Sequence, residues 1–175
     1  MAKKKNLRKI PFKNYVLTAL IFVAVIFITL YLFKWYQVKN EEKISTSYLV
    51  ENNLTTSVIK SFEELQDGLA ENSSRLILYI SYRNDKGIYN IEKNYKKYFK
   101  KYNIQEIFTL FDITDIKEDN KNYTKQINDI LDINVNGYPV VIYYEDGQIS
   151  SYKKIKNSKD FESVIKKANV EKNSR

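Results

Sequence analysis

The residue types that this chain lacks limit the chemistry it can perform. Among its 175 residues there is no cysteine and no histidine. Without thiols there is no disulfide, no thiolate nucleophile and no cysteine–histidine zinc site, and without imidazole there is no serine–histidine or cysteine–histidine pair for covalent catalysis. Paired carboxylates and a phosphate-binding glycine loop cannot be identified either. We therefore predict a protein with no catalytic residues and no cofactor.

The densest group of potential metal ligands is acidic and follows a predicted strand. Its members are Asp112, Asp115, Glu118 and Asp119. Carboxylate oxygens bind hard cations, but this group lacks the glycine and the terminal glutamate of a calcium-binding loop. A solvated loop explains these acids better, so no metal site is predicted.

Lysines are concentrated in one predicted helix. They are Lys93, Lys96, Lys97, Lys100 and Lys101. Contact with anionic lipid or with a cell-wall polymer is one interpretation, and a solvated helix face is the simpler one. The chain also has fifteen tyrosines, many at the spacing of core residues, which favours packing over a carbohydrate-binding surface.

The net charge of +8 comes mostly from a short amino-terminal segment. Six of the 29 basic residues lie between residues 3 and 13, and no acidic residue occurs before Glu41. The rest of the chain has 23 basic and 21 acidic residues, a net charge of only +2. The folded part therefore lacks the electrostatic signature of nucleic-acid binding, and no nucleic-acid partner is predicted.

Tyr15–Phe33 is a run of 19 residues without a charge. As a helix it would be ~28 Å long, close to the ~30 Å hydrocarbon core of a bilayer. Tyr31 and Trp35 at its end are typical of residues at a membrane interface. A cleavable signal peptide has the same order of basic and apolar residues, but it requires a shorter apolar core and small residues at the cleavage site. An uncleaved transmembrane signal-anchor helix is therefore predicted over residues 15–36.

More basic residues precede this span than follow it. By the positive-inside rule, residues 1–14 form a basic cytoplasmic tail and the carboxyl-terminal domain is extracytoplasmic. Residues 37–53 are predicted as a polar, irregular stalk, residues 54–170 as the folded domain and residues 171–175 as a tail. The predicted location is the cell membrane, with a single pass. A composition rich in Lys, Asn, Ile and Tyr is typical of a bacterial protein from an AT-rich genome.

Alternating apolar patterns predict the order β-α-β-α-β-α-β-β-α for the domain. The predicted strands lie at residues 54–59, 76–81, 106–113, 140–144 and 149–155. The predicted helices lie at residues 61–70, 88–102, 119–131 and 158–168. Asp146-Gly147 joins the last two strands and is a favoured hairpin turn.

The most specific pattern lies near the end of the domain. Asn136-Gly137-Tyr138-Pro139 precedes the apolar strand Val140–Tyr144, and the acidic-glycine turn follows. Together with the element order, this ending resembles the thioredoxin family, in which a cis-proline precedes a buried strand and a hairpin. The resemblance implies a three-layer α/β/α fold with a mixed central sheet, preceded here by one transmembrane helix. The arrangement also resembles membrane-anchored thioredoxin-like proteins of Gram-positive bacteria, including bacteriocin transport accessory proteins.

The redox residues of that family are missing. The resemblance places Asn84-Asp85-Lys86-Gly87 where the family has Cys-x-x-Cys, Arg83 where it usually has tryptophan, and Leu78 where it has a buried acid. Disulfide exchange requires a thiolate and a second thiol that resolves the mixed disulfide. Thiol–disulfide oxidoreductase activity is therefore excluded.

The other half of the family's site is retained. In thioredoxins the residue before the cis-proline exposes its backbone to an extended peptide, which binds in the manner of an added strand. The resemblance implies a groove in which the backbone of Tyr138 pairs with a partner, while Pro139 holds the geometry and the 82–87 loop lines the facing side. The implied site residues are Tyr138, Pro139, Gly137, Arg83, Asn84, Asp85, Lys86 and Gly87. The alternative is a fold-determining proline turn and an ordinary polar loop that bind nothing.

Two functions follow. The first is a membrane-anchored, redox-inactive thioredoxin-like accessory module that binds another envelope protein or an exported peptide. The second is a structural subunit of an envelope assembly, such as a secretion, conjugation or competence apparatus, in which the domain acts as a spacer.

Overall fold

The computed structural model describes residues 11–71 and 74–173. The chain divides at Lys43 into two units, an apolar helix and a folded domain. Most of the predicted basic tail lies outside the described residues, as do the last two residues of the chain.

The first unit is helix α1, Phe12–Ile44. Its stretch Phe12–Lys39 has a mean hydropathy of 2.8 and could cross a membrane by length and composition. Large apolar side chains cover its surface, and Trp35 near its polar end is 54% exposed. A signal sequence near the amino terminus can meet the same criteria of length and composition, so this helix is consistent with either form of membrane targeting.

The segment predicted as an irregular stalk, residues 37–53, has a different structure. Residues up to Ile44 continue α1, and the short helix α2, Tyr48–Glu51, follows. Leu49 in α2 is fully buried, and Leu54 belongs to the same hydrophobic core. The folded domain therefore begins earlier than predicted, because these two leucines anchor a segment whose other residues are mostly polar.

The domain contains five strands in one mixed sheet. They are β1, Ser57–Ile59; β2, Arg75–Ser81; β3, Phe108–Asp112; β4, Val140–Glu145; and β5, Gln148–Lys154. The strand order is β1-β3-β2-β4-β5. The first three strands in this order are parallel, whereas β4 is antiparallel to both of its neighbours.

In the part of the domain that the structure describes, six α-helices follow α2. They are α3, Phe62–Glu71; α4, Lys86–Glu92; α5, Lys96–Tyr102; α6, Thr114–Asp119; α7, Tyr123–Leu131; and α8, Ser158–Asn173. The last helix extends beyond the predicted limit at Ala168 and includes residues predicted as a tail.

Side chains of the central strands alternate between two hydrophobic cores, because successive residues of a strand point to opposite faces. Ile77 and Tyr79 of β2 face a core that includes residues of α5 and α8. Leu78 and Ile80 face a second core that includes residues of α3 and α7. The fold is the predicted thioredoxin-like three-layer α/β/α arrangement with a mixed sheet.

The helix predicted over residues 88–102 begins two residues earlier, at Lys86, and is interrupted between α4 and α5. The Tyr95 N–H donates to the Glu92 carbonyl oxygen at 2.8 Å, three residues back, which is a tighter turn than in an α-helix. Tyr95 is fully buried, and its ring stacks on Phe161 with 3.9 Å between centroids. The apolar spacing continues across the break, so the sequence pattern did not show it.

Two other boundaries also differ from the prediction. Residues before Phe108 form a 3₁₀ turn, Gln105–Ile107, so β3 starts later than residue 106. Helix α6 was not predicted, and α7 begins at Tyr123 rather than Asp119. Ile116 is the one apolar residue of α6 that packs on the core, which left no periodic pattern to detect.

Glu92 at the end of α4 is buried and connects α4 to the start of α2. Its carboxylate accepts hydrogen bonds from the Ser47 hydroxyl at 2.9 Å and from the Tyr48 N–H at 3.0 Å. The side chain is 1% exposed. Burial raises the pKa of Glu92 from 4.5 to about 7, although these hydrogen bonds oppose that change. Below about pH 7, the protonated carboxyl group is therefore the main form in the folded domain.

Candidate functional site

The two halves of the predicted site lie at the same end of the sheet. Strand β2 is antiparallel to β4, with Ile80 opposite Val140. The chain therefore leaves β2 into the 82–85 loop beside the point where Tyr138 and Pro139 lead into β4. Strand β3 is parallel to β2, so Asp112 and the start of α6 lie at this end too.

An ion-pair network fixes the 82–85 loop. The Arg83 Nε lies 2.7 Å from Asp112 Oδ2, and its Nη2 lies 3.1 Å from Asp115 Oδ1. The Arg83 backbone N–H donates to the Thr114 hydroxyl at 2.8 Å, and that hydroxyl donates to Asp112 Oδ1. Arg83, a predicted contact residue, is thus held by the carboxyl end of β3 and by α6.

Among the other predicted contact residues of this loop, one caps a helix and three are exposed to solvent. Asp85 is the N-cap of α4, and its carboxylate accepts a 3.0 Å hydrogen bond from the Ile88 N–H. Asn84 is in the left-handed region with φ +66°, a conformation that asparagine tolerates well. Asn84, Lys86 and Gly87 are exposed.

Replacing Asp85 by alanine tests whether this residue caps the helix or binds a partner. The substitution removes the acceptor for an orphan N–H of α4, so we expect the free energy of unfolding to fall by about 1 kcal/mol. Urea denaturation of the full chain in detergent would measure this loss. Asp85→Asn keeps a capping oxygen and is the matched control, and an equal loss in both variants would contradict the capping role.

Residues 136–139 form the proline loop, which lies at the same end of the sheet. Tyr138 and Pro139 in this loop are buried. The Tyr138–Pro139 bond is cis, and the Pro139 carbonyl oxygen accepts a 2.8 Å hydrogen bond from the Ile155 N–H. Tyr138 is 8% exposed, and its ring centroid lies 5.9 Å from that of Tyr123. Burial, with the Tyr123 hydroxyl as a second cause, raises the pKa of Tyr138 to about 12.

Gly137 has a backbone conformation that residues with a side chain rarely adopt, with φ at +153°. A Cβ there would lie 2.7 Å from Lys154 Nζ, but this atom is the end of a flexible, exposed side chain that can move. The positive φ is therefore the feature that favours glycine at this position.

A cavity of about 350 Å³ opens at this end of the sheet. Its lining residues are Tyr82, Arg83, Asn84, Asp85, Thr114, Lys117 and Glu118. The Lys117 ammonium lies 3.8 Å from the centre of the Tyr82 ring, within cation–π distance. The cavity is bounded by the 82–85 loop and by α6, whereas Tyr138 and Pro139 are not among its lining residues. We call it the α6 cleft.

Three lining residues, Thr114, Lys117 and Glu118, were not among the predicted site residues. They lie on the unpredicted helix α6, and the acidic cluster from Asp112 to Asp119 was the signal that marked this segment. Within residues 11–71 and 74–173, no group of three or more Asp or Glu side chains is placed to hold a metal ion. Asp112 and Asp115 instead bind Arg83.

Comparisons with known proteins gave structural neighbours only. No protein-family model matches the sequence, and no curated protein matches it. Similar solved structures include oxidised thioredoxin from Plasmodium falciparum, with 15% identity, a TM-score of 0.47, and coverage of 65% of this chain and 97% of that one. Thioredoxin O2 from Arabidopsis thaliana has 17% identity, a TM-score of 0.48, and coverage of 65% and 93%. Fasciola hepatica thioredoxin has 14% identity, a TM-score of 0.48, and coverage of 64% and 98%.

Proposed function

We propose that this chain is a membrane-anchored, redox-inactive thioredoxin-like module that binds a protein or peptide partner through the α6 cleft at the bacterial cell envelope. The observation that carries the proposal is the α6 cleft itself. It lies at the end of the sheet where the sequence placed the partner site, and no thiol is available there for redox chemistry.

The lining of the cleft favours a polar, extended ligand. It combines Asp85 and Glu118 with Lys117, and an aromatic ring from Tyr82 lies beside them. Charges of both signs suit a peptide backbone with mixed side chains, whereas a lipid tail or a metal ion would find neither an apolar enclosure nor a set of converging carboxylates. Arg83 is held in place by two aspartates, so this wall of the cleft is preorganised for binding.

The membrane location belongs to the same proposal. Helix α1 has the length and hydropathy of a span, and the positive-inside rule places the domain on the extracytoplasmic side. The partner is then another envelope protein or an exported peptide.

Site-specific photocrosslinking in native membranes tests the cleft. The photoreactive residue replaces exposed Glu118 in the cleft or exposed Asn136 beside the proline loop. Exposed Glu71, at the end of α3 and at the opposite end of the sheet, serves as the control. We expect one discrete crosslinked partner from position 118 and none from position 71. A partner captured from position 136 alone would show that the binding site is at the proline loop and not in the α6 cleft.

Two further outcomes would contradict the proposal. No crosslink from positions 118 and 136, with abundant crosslinks from α1, would favour the structural-subunit function, in which the helix makes the contacts. Equal crosslinking from all three positions in the domain would indicate non-specific proximity rather than a binding site.

A further inference from the structure

Charge is segregated between the two helical layers of the domain. Helices α3, α6 and α7, on one side of the sheet, contain eight acidic residues and two lysines. Helices α4 and α5 with the turn between them, on the other side, contain six lysines and one acid, and that acid is the buried Glu92. Helix α8, which packs on the same side, is more mixed and contains four lysines and three acids. The nearly neutral composition of the domain therefore conceals one strongly basic surface.

Five of these lysines are exposed together, and we call them the lysine face: Lys93, Lys96, Lys97, Lys100 and Lys101. Lys101 is paired with Glu162 of α8 at 3.3 Å. Among the residues that the structure describes, no acid lies within ion-pair distance of the other four. The positive charge of this face is thus mostly available to an external anion.

Tyrosines lie beneath three of the five ammonium groups. The distances from Nζ to the ring centre are 4.9 Å for Lys93 over Tyr89 and 4.8 Å for Lys97 over Tyr98. Lys101 lies 4.8 Å from the centre of the Tyr102 ring. A layer of ammonium groups over aromatic rings has the composition of surfaces that lie at the headgroup level of a bilayer.

We propose that the lysine face binds the phosphate groups of anionic phospholipids at the membrane surface. Clusters of four to eight basic residues near a membrane are attracted to anionic lipids. This inference rests on the membrane anchor of the proposed function, because a tether raises the effective concentration of lipid at the domain and makes a weak electrostatic contact sufficient. The acidic layer on the opposite side of the sheet is repelled by the same lipids, which gives the domain one preferred orientation.

The absence of cysteine makes a direct test practical, since one introduced cysteine is labelled uniquely. The full chain is reconstituted in nanodiscs of phosphatidylcholine alone or with phosphatidylglycerol. A donor dye is attached to a cysteine introduced at an exposed position of α4, Asn90→Cys. The matched control carries the dye at an exposed position of α3, Gln66→Cys. Energy transfer to an acceptor on the lipid headgroups reports the distance from each site to the bilayer.

We expect transfer from position 90 to rise when phosphatidylglycerol is present and transfer from position 66 to stay equal or fall. The rise should be lost at about 1 M salt, where the screening length falls to about 3 Å. It should also be lost in the variant K93Q/K96Q/K97Q/K100Q, whereas K121Q/K125Q, which changes exposed lysines on the other side of the sheet, should keep it.

Transfer from position 90 that is the same in both kinds of nanodisc would overturn the inference. So would a response to soluble polyphosphate without one to phosphatidylglycerol, because the face would then bind a free polyanion. Carbonate extraction of native membranes that contain the chain separates the two proposals. A chain that is extracted lacks the anchor, and a chain that resists extraction without a lipid response lacks only this contact.

Discussion

Replacement of Glu92 by glutamine is expected to remove most of the pH dependence of the domain's stability between about pH 5 and pH 8. Burial raises the pKa of this carboxyl group in the folded domain to about 7, from 4.5 as its ordinary value. The folded state therefore binds a proton that the unfolded state releases at lower pH. The stabilisation is complete below about pH 4.5 and is lost as the pH rises through 7. The total loss is on the order of 3 kcal/mol.

The groups around Glu92 make glutamine a suitable replacement. The Ser47 hydroxyl and the Tyr48 N–H both donate to one carboxylate oxygen, and the amide oxygen of glutamine accepts in the same way. The phenol groups of Tyr79 and Tyr95 lie close enough to interact electrostatically with the carboxylate. Both phenols have a pKa raised by burial, so they stay neutral in this pH range.

Urea denaturation of the full chain in detergent at pH 5 and pH 8 would measure the effect. The unmodified chain should be less stable at pH 8, whereas E92Q should have nearly the same free energy of unfolding at both values. Glu106→Gln, at an exposed position outside the cluster, is the matched control and should keep the original slope. An unchanged slope in E92Q would show that another group carries the pH dependence.

Replacement of Arg83 by methionine is expected to destabilise the domain by about 2–3 kcal/mol. The substitution leaves the Asp112 carboxylate, which is 7% exposed, without its cationic partner at 2.7 Å, and an uncompensated buried charge is costly. The expected loss is smaller than the ~3–5 kcal/mol of a fully buried pair because the Arg83 side chain is 28% exposed. The measurement is the urea midpoint of the full chain.

Two variants define the origin of this effect. Asp115→Asn removes the outer, 68% exposed partner of Arg83, and an exposed ion pair should cost less than about 1 kcal/mol. The double variant R83M/D112N removes both the buried charge and its partner, so it should recover part of the loss. If the loss of stability in the double variant equals the sum of the losses in R83M and in D112N, a direct pairing of Arg83 with Asp112 is contradicted.

The architecture of the domain followed from sequence because its determinants are local and periodic. The apolar run Val140–Tyr144, the Asp146-Gly147 turn and the alternating strands specify a mixed sheet through burial and turn geometry. These patterns indicated the order of strands and helices without any need for a similar sequence of known structure. The length and hydropathy of α1 were equally local properties.

The unpredicted features depend on contacts between distant residues. The break before Tyr95 is stabilised by stacking on Phe161, and the packing of α2 depends on Leu49 and on hydrogen bonds to Glu92. None of these partners is identifiable from periodicity. The α6 cleft was missed in the same way, because Arg83 pairs with Asp112, 29 positions further along the chain, and the pairing gives α6 its place beside the loop.

The position of Trp35 gives the two units of the chain separate optical signatures. It is the sole tryptophan and lies on α1, whereas twelve of the fifteen tyrosines lie in the folded domain. Indole fluorescence therefore reports the polarity around α1, while tyrosine emission reports the packing of the domain. Cleavage of α1 as a signal sequence beyond residue 35 would leave a mature protein without any indole absorbance. An absorption spectrum of the purified native protein thus distinguishes a retained anchor from a signal that is cleaved beyond residue 35.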